Sequence, residues 1–162
     1  MNTIRIAAEA DIPLIREMAR LIWPATYYPI IGREQVDYML EWMYSPEALR
    51  QQFADGCVFL ISEADGLATG FAAYSTEHQA TYKLHKLYVF PEKHGQGIGK
   101  MLVDEVIRQV KEQGGITLLL NVNKQNPALH FYKRCGFSIK EAVTIDIGNG
   151  FVMDDYVMEI MC

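Results

Sequence analysis

Phe90 to Val110 reads FPEKHGQGIGKMLVDEVIRQV, with glycines at 95, 97 and 99 running straight into an amphipathic pattern. Ile98, Met101, Leu102, Val106, Ile107 and Val110 recur at helical spacing, Asp104, Arg108 and Lys111 lie opposite, and Gly114-Gly115 supplies the stop. Immediately upstream, TYKLHKLYVF (Thr81 to Phe90) has the composition of a strand. It ends at Phe90-Pro91, because proline donates nothing to a ladder and pushes its predecessor into extended geometry. A glycine loop between a strand and a helix lets backbone N–H groups approach a ligand closely, and the unpaired N–H groups of the first helical turn point the same way. An anion suits that arrangement; a flexible connector with a helix cap accounts for the glycines equally well. The spacing is neither the nucleotide loop GxxxxGK[ST], since Met101 follows Lys100, nor the dinucleotide fingerprint GxGxxG.

Outward from this stretch, the chain alternates strand and helix signals. TIRIA (Thr3 to Ala7) reads as a strand, and a helix follows with Asp11 as N-cap, Pro13 in its first turn and Ile15, Met18, Ala19 and Ile22 at helical spacing. PATYYPIIG reads as a proline-bounded aromatic loop, followed by a helix from about Arg33 to Met43 and a third, short one capped by Ser45. CVFLISEA and LATGFAAYST form a hairpin through Asp65-Gly66. After the glycine-led helix, ITLLLNV (Ile116 to Val122) has the continuous apolar character of a strand buried on both faces. A helix from about Pro127 to Cys135, ended by Gly136, then precedes two β segments near Ser138 to Asp146 and Val152 to Met161. The order predicts one mixed α/β domain over residues 1–162, containing a β–glycine loop–α–β crossover.

Composition narrows the function. Half of the 162 residues are apolar and 22% are charged, so a packed core is expected. The net charge of −5 argues against non-specific nucleic-acid binding, which needs clustered cations. No apolar run is long enough for a membrane-spanning helix, and MNTIRIAAEAD lacks the basic and apolar parts of a signal peptide. Cys57, Cys135 and Cys162 form no CxxC pair, and His78, His85, His94 and His130 show no metal-ligand spacing. Neither a disulfide framework nor a metal is expected, and the cytoplasm is the expected compartment.

With the flanking segments added, LYVFPEKHGQGIGKMLV and NKQNPALHFYKRCGF together resemble the GNAT superfamily of acyl-coenzyme A N-acyltransferases. Gly97 and Gly99 fall in register with that family's [QR]xxGx[GA] loop; His94 stands where Gln or Arg is usual. Ala128, Phe131, Tyr132, Gly136 and Phe137 match its downstream segment, whereas Gln125 occupies the position of the family's asparagine and Asn126 follows one residue later. The resemblance implies a mostly antiparallel central sheet with a β-bulged, splayed strand pair and flanking helices. It implies acetyl-CoA as co-substrate, with the amides of Gly95, Gln96, Gly97, Ile98, Gly99 and Lys100 around the pyrophosphate and His94 as a further donor to phosphate. Leu87, Tyr88 and Val89 would pair with the pantetheine arm, and Gln125 or Asn126 would meet the coenzyme. A homodimer is a family-level expectation.

Acetyl transfer to an amine needs a neutral nucleophile, stabilisation of negative charge on the thioester oxygen and a proton for the departing thiolate. The family match makes Tyr132 the candidate acid, and the backbone N–H of Val89 or a neighbour the oxyanion donor. For the base, His85 lies four residues before Val89 and so shares its face by the two-residue period; Glu77, Tyr88 and ordered water are competitors. Cys135 has no histidine–acid partner at a recognisable spacing and reads as a packed thiol. The resemblance implies an acceptor pocket between the loop after the first helix and the final hairpin, where Trp23, Tyr27 and Tyr28 with Asp154 and Asp155 suit a small cationic amine. The general layout is similar to bacterial polyamine acetyltransferases, which implies a polyamine; protein amino groups and a coenzyme-sensing module without turnover are alternatives.

Overall fold

A computed structural model describes residues 1–162. The chain runs β1 (Asn2–Ile6), α1 (Ile12–Tyr44), α2 (Pro46–Ala54), β2 (Val58–Ala64), β3 (Leu67–His78), β4 (Thr81–Val89), α3 (Ile98–Glu112), β5 (Thr117–Asn123), α4 (Ala128–Arg134), β6 (Ser138–Gly148) and β7 (Phe151–Met161). Seven strands form one sheet in the order β1-β2-β3-β4-β5-β7-β6. Only β4 and β5 run parallel, and α3 provides their crossover. The turn at Asp65 and Gly66 has positive φ at both residues, as a two-residue hairpin loop requires.

Helices cover both faces. Ile15, Met18, Ile22, Trp23 and Leu49 pack with Phe59, Ile61 and Phe71 on one side. On the other, Leu102, Val103, Val106 and Val110 pack with Leu60, Ala72, Leu118, Leu120 and Met158. Consecutive residues of β2 thus feed opposite cores, which is why its sequence is a run of apolar residues and not an alternation.

Four sequence expectations change. The aromatic segment at Trp23–Tyr28 is helical: α1 continues through Pro24 and Pro29 to a break at Gly32 (φ 81°). Each interior proline removes a backbone hydrogen bond, but buried Trp23 and its neighbour Tyr27, ring centroids 4.6 Å apart, tie this part of the helix to the core. Asp11 precedes α1 without capping it; its carboxylate takes hydrogen bonds from Ala8 N–H and from Arg5 at 2.8–2.9 Å. β5 is buried at Leu118, Leu120 and Val122 but only half-buried at the residues between, where Asn121 borders open space between the sheet and α1. The two-residue period fails in β4, where Ala73 pairs with Lys86 and Tyr74 with Leu84, leaving His85 in a bulge. His85 accordingly meets Ser75 at 2.7 Å, while Val89 packs with the α3 cluster, so the two do not share a face.

Pairing between β4 and β5 extends from Thr81 opposite Thr117 to Leu84 opposite Leu120 and goes no further. On its other side β4 stays paired with β3 as far as Val89, which faces Gly70. A Cβ on Gly70 would lie 2.5 Å from the Tyr88 carbonyl oxygen. At the far end of the sheet, edge strand β6 has irregular register around Lys140 and again between Asp146 and Gly148. Gly70→Ala is expected to push β4 outward and to destabilise the fold by about 1–3 kcal/mol, seen as a lower urea midpoint; an unchanged midpoint would show that β4 yields without strain.

Candidate functional site

Where β4 and β5 part, a cavity of about 1050 Å³ opens. Its walls are the β4 segment Leu84–Val89, the loop and first turn of α3, Leu120, Asn121 and Val122 of β5, residues 125–128, Phe131 and Tyr132 of α4, and the α1 stretch including Thr26, Tyr27 and Ile30. No Asp or Glu lines it, whereas Lys86, Lys93, Lys100 and Arg134 do, with His85 and His94. A chain of net charge −5 thus presents a basic interior surface, a fit for an anionic ligand.

The three glycines divide the work. Gly95 and Gly97 have φ of 81° and 80°, a left-handed backbone that side chains rarely tolerate. Gly97 thereby turns the chain into α3, whose first N–H groups have no intrahelical acceptor. Gly99 is needed for clearance: a Cβ there would stand 3.1 Å from the Phe131 ring. Together with the basic lining, the loop fits a phosphate-bearing ligand. Gly95, Gly97, Ile98, Gly99 and Lys100 line the cavity as the sequence led us to expect; Gln96 does not.

His94 borders the cavity, but its Nε2 meets the Val89 carbonyl at 3.0 Å, strapping the loop to the end of β4. Asn126 is also committed internally: its Oδ1 accepts from Ala128 N–H at 2.9 Å and opens α4, and its Nδ2 reaches the Tyr27 hydroxyl at 3.5 Å. The Tyr27 and Tyr88 hydroxyls are 3.0 Å apart, so one chain of hydrogen bonds joins α1, β4 and the approach to α4. Gln125 is exposed beside it. Leu87, Tyr88 and Val89 present the edge of β4 that β5 does not use.

Tyr132 is buried in the cavity wall, and burial above all holds its phenol far above the ordinary value, so it stays protonated at physiological pH. His85 retains an open side to solvent, yet packing against the sheet, followed by the Lys86 and Lys83 charges, lowers its pKa to about 4. It is neutral near pH 7 and a weak proton acceptor there. Glu77 is exposed toward the β3–β4 turn and does not line the cavity. Cys135 is half-buried, and burial raises its thiol, in keeping with a packed side chain.

Of the five residues expected on the acceptor side, only Tyr27 lines the cavity. Trp23 stands behind it in the core, and Tyr28 packs beneath the Arg33 guanidinium instead. Asp154 is an exposed partner of Lys124 at 3.1 Å, and Asp155, one residue on, is buried. The sequence reading missed Asn121, Lys86 and Arg134. Asn121 carried a signal, as the one amide side chain in the apolar run ITLLLNV.

Residues 15–137 match the acetyltransferase (GNAT) family. The chain is 29% identical over 157 residues to a spermidine N(1)-acetyltransferase of Thermoplasma acidophilum, covering 93% of this chain and 94% of that one. It is 26% identical over 145 residues to an L-amino acid N-acyltransferase of Escherichia coli, covering 85% and 80% respectively. Its fold matches that of the PaiA N-acetyltransferase of Thermoplasma acidophilum, solved in complex with coenzyme A, with a TM-score of 0.85 and 27% identity over 100% of this chain and 99% of that one.

Lys86 yields a test of the site's packing. Its stem crosses small Ala73 to place Nζ over the Tyr44 and Phe59 rings, and burial lowers its pKa to about 8. Below pH 8 the folded protein holds a buried ammonium; between pH 8 and 10.5 the unfolded chain binds more protons, so stability rises with pH. Lys86→Met should therefore stabilise the protein by about 1–3 kcal/mol at pH 7, and the gain should vanish toward pH 10.5 in denaturation curves.

Proposed function

Because the chain belongs to the acetyltransferase (GNAT) family, an acetyl-CoA-dependent group of enzymes, we propose that residues 1–162 act as one N-acetyltransferase domain that acetylates a small primary amine by direct attack in a ternary complex. The buried, protonated Tyr132 phenol, set in the cavity wall across from the free edge of β4, is the observation that carries the reading. Acetyl-CoA supplies an activated acetyl thioester. The amides of Gly95, Gly97, Ile98, Gly99 and Lys100 hold its pyrophosphate, helped by Lys93 and Arg134, while His94 steadies the loop through Val89. Leu87, Tyr88 and Val89 offer backbone groups to the pantetheine arm as β5 would to a paired strand. One of these N–H groups faces the charge that builds on the thioester oxygen, and Tyr132 donates a proton to the leaving sulfur.

The acceptor proposed is a small cationic amine, a polyamine foremost. The acceptors named for the two relatives, spermidine and L-amino acids, support a small amine, and the Tyr27–Tyr88 pair supplies aromatic surface on the α1 side of the cavity. With His85 held neutral at a pKa of about 4, water is the proposed carrier of the amine proton.

Free thiol release from acetyl-CoA across spermidine, other polyamines, amino acids and amino-terminal peptides tests the proposal, and silence with every amine would leave only coenzyme binding. Tyr132→Phe should lower kcat by about 100-fold with little change in either KM. Undiminished turnover at saturation would remove Tyr132 from the acid role.

A further inference from the structure

On the sheet face turned toward α1, Asn123 of β5 is directly opposite Asp155 of β7 and Asn121 is opposite Val157. Asn121 and Asp155 are therefore diagonal neighbours on one face, while Leu120, Val122, Tyr156 and Met158 point into the α3 core. Asn121 lines the cavity; Asp155 lies one layer behind it, 2% exposed. Lys124 pairs with Asp154, and no cation pairs with Asp155. A buried carboxylate without a counter-ion is costly, and such groups persist where a partner arrives from outside. Burial raises the Asp155 pKa, and the neighbouring Asn121 side chain opposes that rise. An asparagine amide has a donating and an accepting end. An Asn121 amide that donates to Asp155 leaves its Oδ1 as an acceptor for a ligand in the cavity that Asn121 lines.

We propose that Asn121 and Asp155 form the acceptor-ammonium subsite: Asn121 Oδ1 accepts a hydrogen bond from a cationic primary amine, and Asp155 is the positioning residue that orients the amide and supplies the compensating charge. The assignment rests on the acetyl-transfer reading above. It gives a cavity whose lining is otherwise basic a means of attracting a cation, and it distinguishes substrate from product, because an acetylated nitrogen carries no charge. The groups facing Asp155 are Asn121 and Asn123 from β5, Lys83 from β4, Tyr27 from α1 and Asp154 on its own strand; Val143 faces it from β6.

The test is steady-state thiol release with acetyl-CoA and spermidine, and with neutral hydroxylamine, in wild type, Asn121→Ala, Asp155→Asn and the double variant, each checked for folding by thermal melts. Either single change should raise the spermidine KM about 10-fold or more, leave the acetyl-CoA KM within about twofold and affect hydroxylamine less. The double variant should be little worse than either single one, as for one unit, and Asp155→Glu should restore part of the loss. An unchanged spermidine KM, or an acetyl-CoA KM rising in step, overturns the proposal. A second readout does not need turnover: the Asn121 side-chain amide signal in NMR should follow the Asp155 titration and shift when spermidine is added to the coenzyme A complex. A signal indifferent to both overturns the subsite, while the absence of thiol release with every amine would overturn the transferase reading instead.

Discussion

Beyond Leu84 and Leu120, two neighbouring parallel strands stop sharing hydrogen bonds, and backbone groups of β4 that a continuous sheet would satisfy are left facing a cavity. Leaving a buried backbone group unpaired costs on the order of 1–3 kcal/mol, so the gap persists only because other contacts fix β4 from its far side. β3 supplies those contacts through the pairing that runs up to Gly70 and Val89, with the clearance at Gly70 letting the strands stay close. The bulge at His85 coincides with the start of the gap and re-aims the residues that follow. The remaining features are arranged around this opening: the glycine loop at one end, α4 with Tyr132 on one flank, α1 with Tyr27 on the other.

The electrostatics follow the same division. No acidic side chain lines the cavity, and exterior ion pairs such as those of Arg108 with Glu105 and Glu112 contribute little individually. The interior of the cavity is basic along the loop and α4, and Asp155 is buried beside it in β7. An anion on one side and a cation on the other can be accommodated in the same space without either being surrounded by its own sign.

How much of this was legible depended on whether local pattern or tertiary packing decided it. The α3 helix, the hairpin at Asp65-Gly66, the cap at Ser45 and the crossover were written in period and turn chemistry, and the structure has them. The middle of α1, PATYYPIIG, was misread as a loop between two helices because helix continuity through Pro24 and Pro29 depends on where Trp23 and Tyr27 are buried, which no local rule supplies. The bulge at His85 is equally silent, and once present it reverses any argument from alternation. In the candidate site, residues drawn from the loop and α4 were found together because their motifs are contiguous. The proposed acceptor side was not: its residues come from α1, β4, β5 and β7, and Asn121 looked like a blemish in an apolar strand.

The register faults in β6 have a meaning that emerges beside the opening at β4. An eleven-residue outer strand would be an invitation for another chain to add itself to the sheet. Irregularities around Lys140 and before Gly148, with charged Lys140, Glu141 and Asp146 along the strand, interrupt that invitation. At the other border, β1 is only five residues long. The unclaimed strand backbone beyond Leu84 of β4 lies instead inside the molecule, along the cavity wall and away from either border of the sheet, where only a ligand small enough for the cavity meets it.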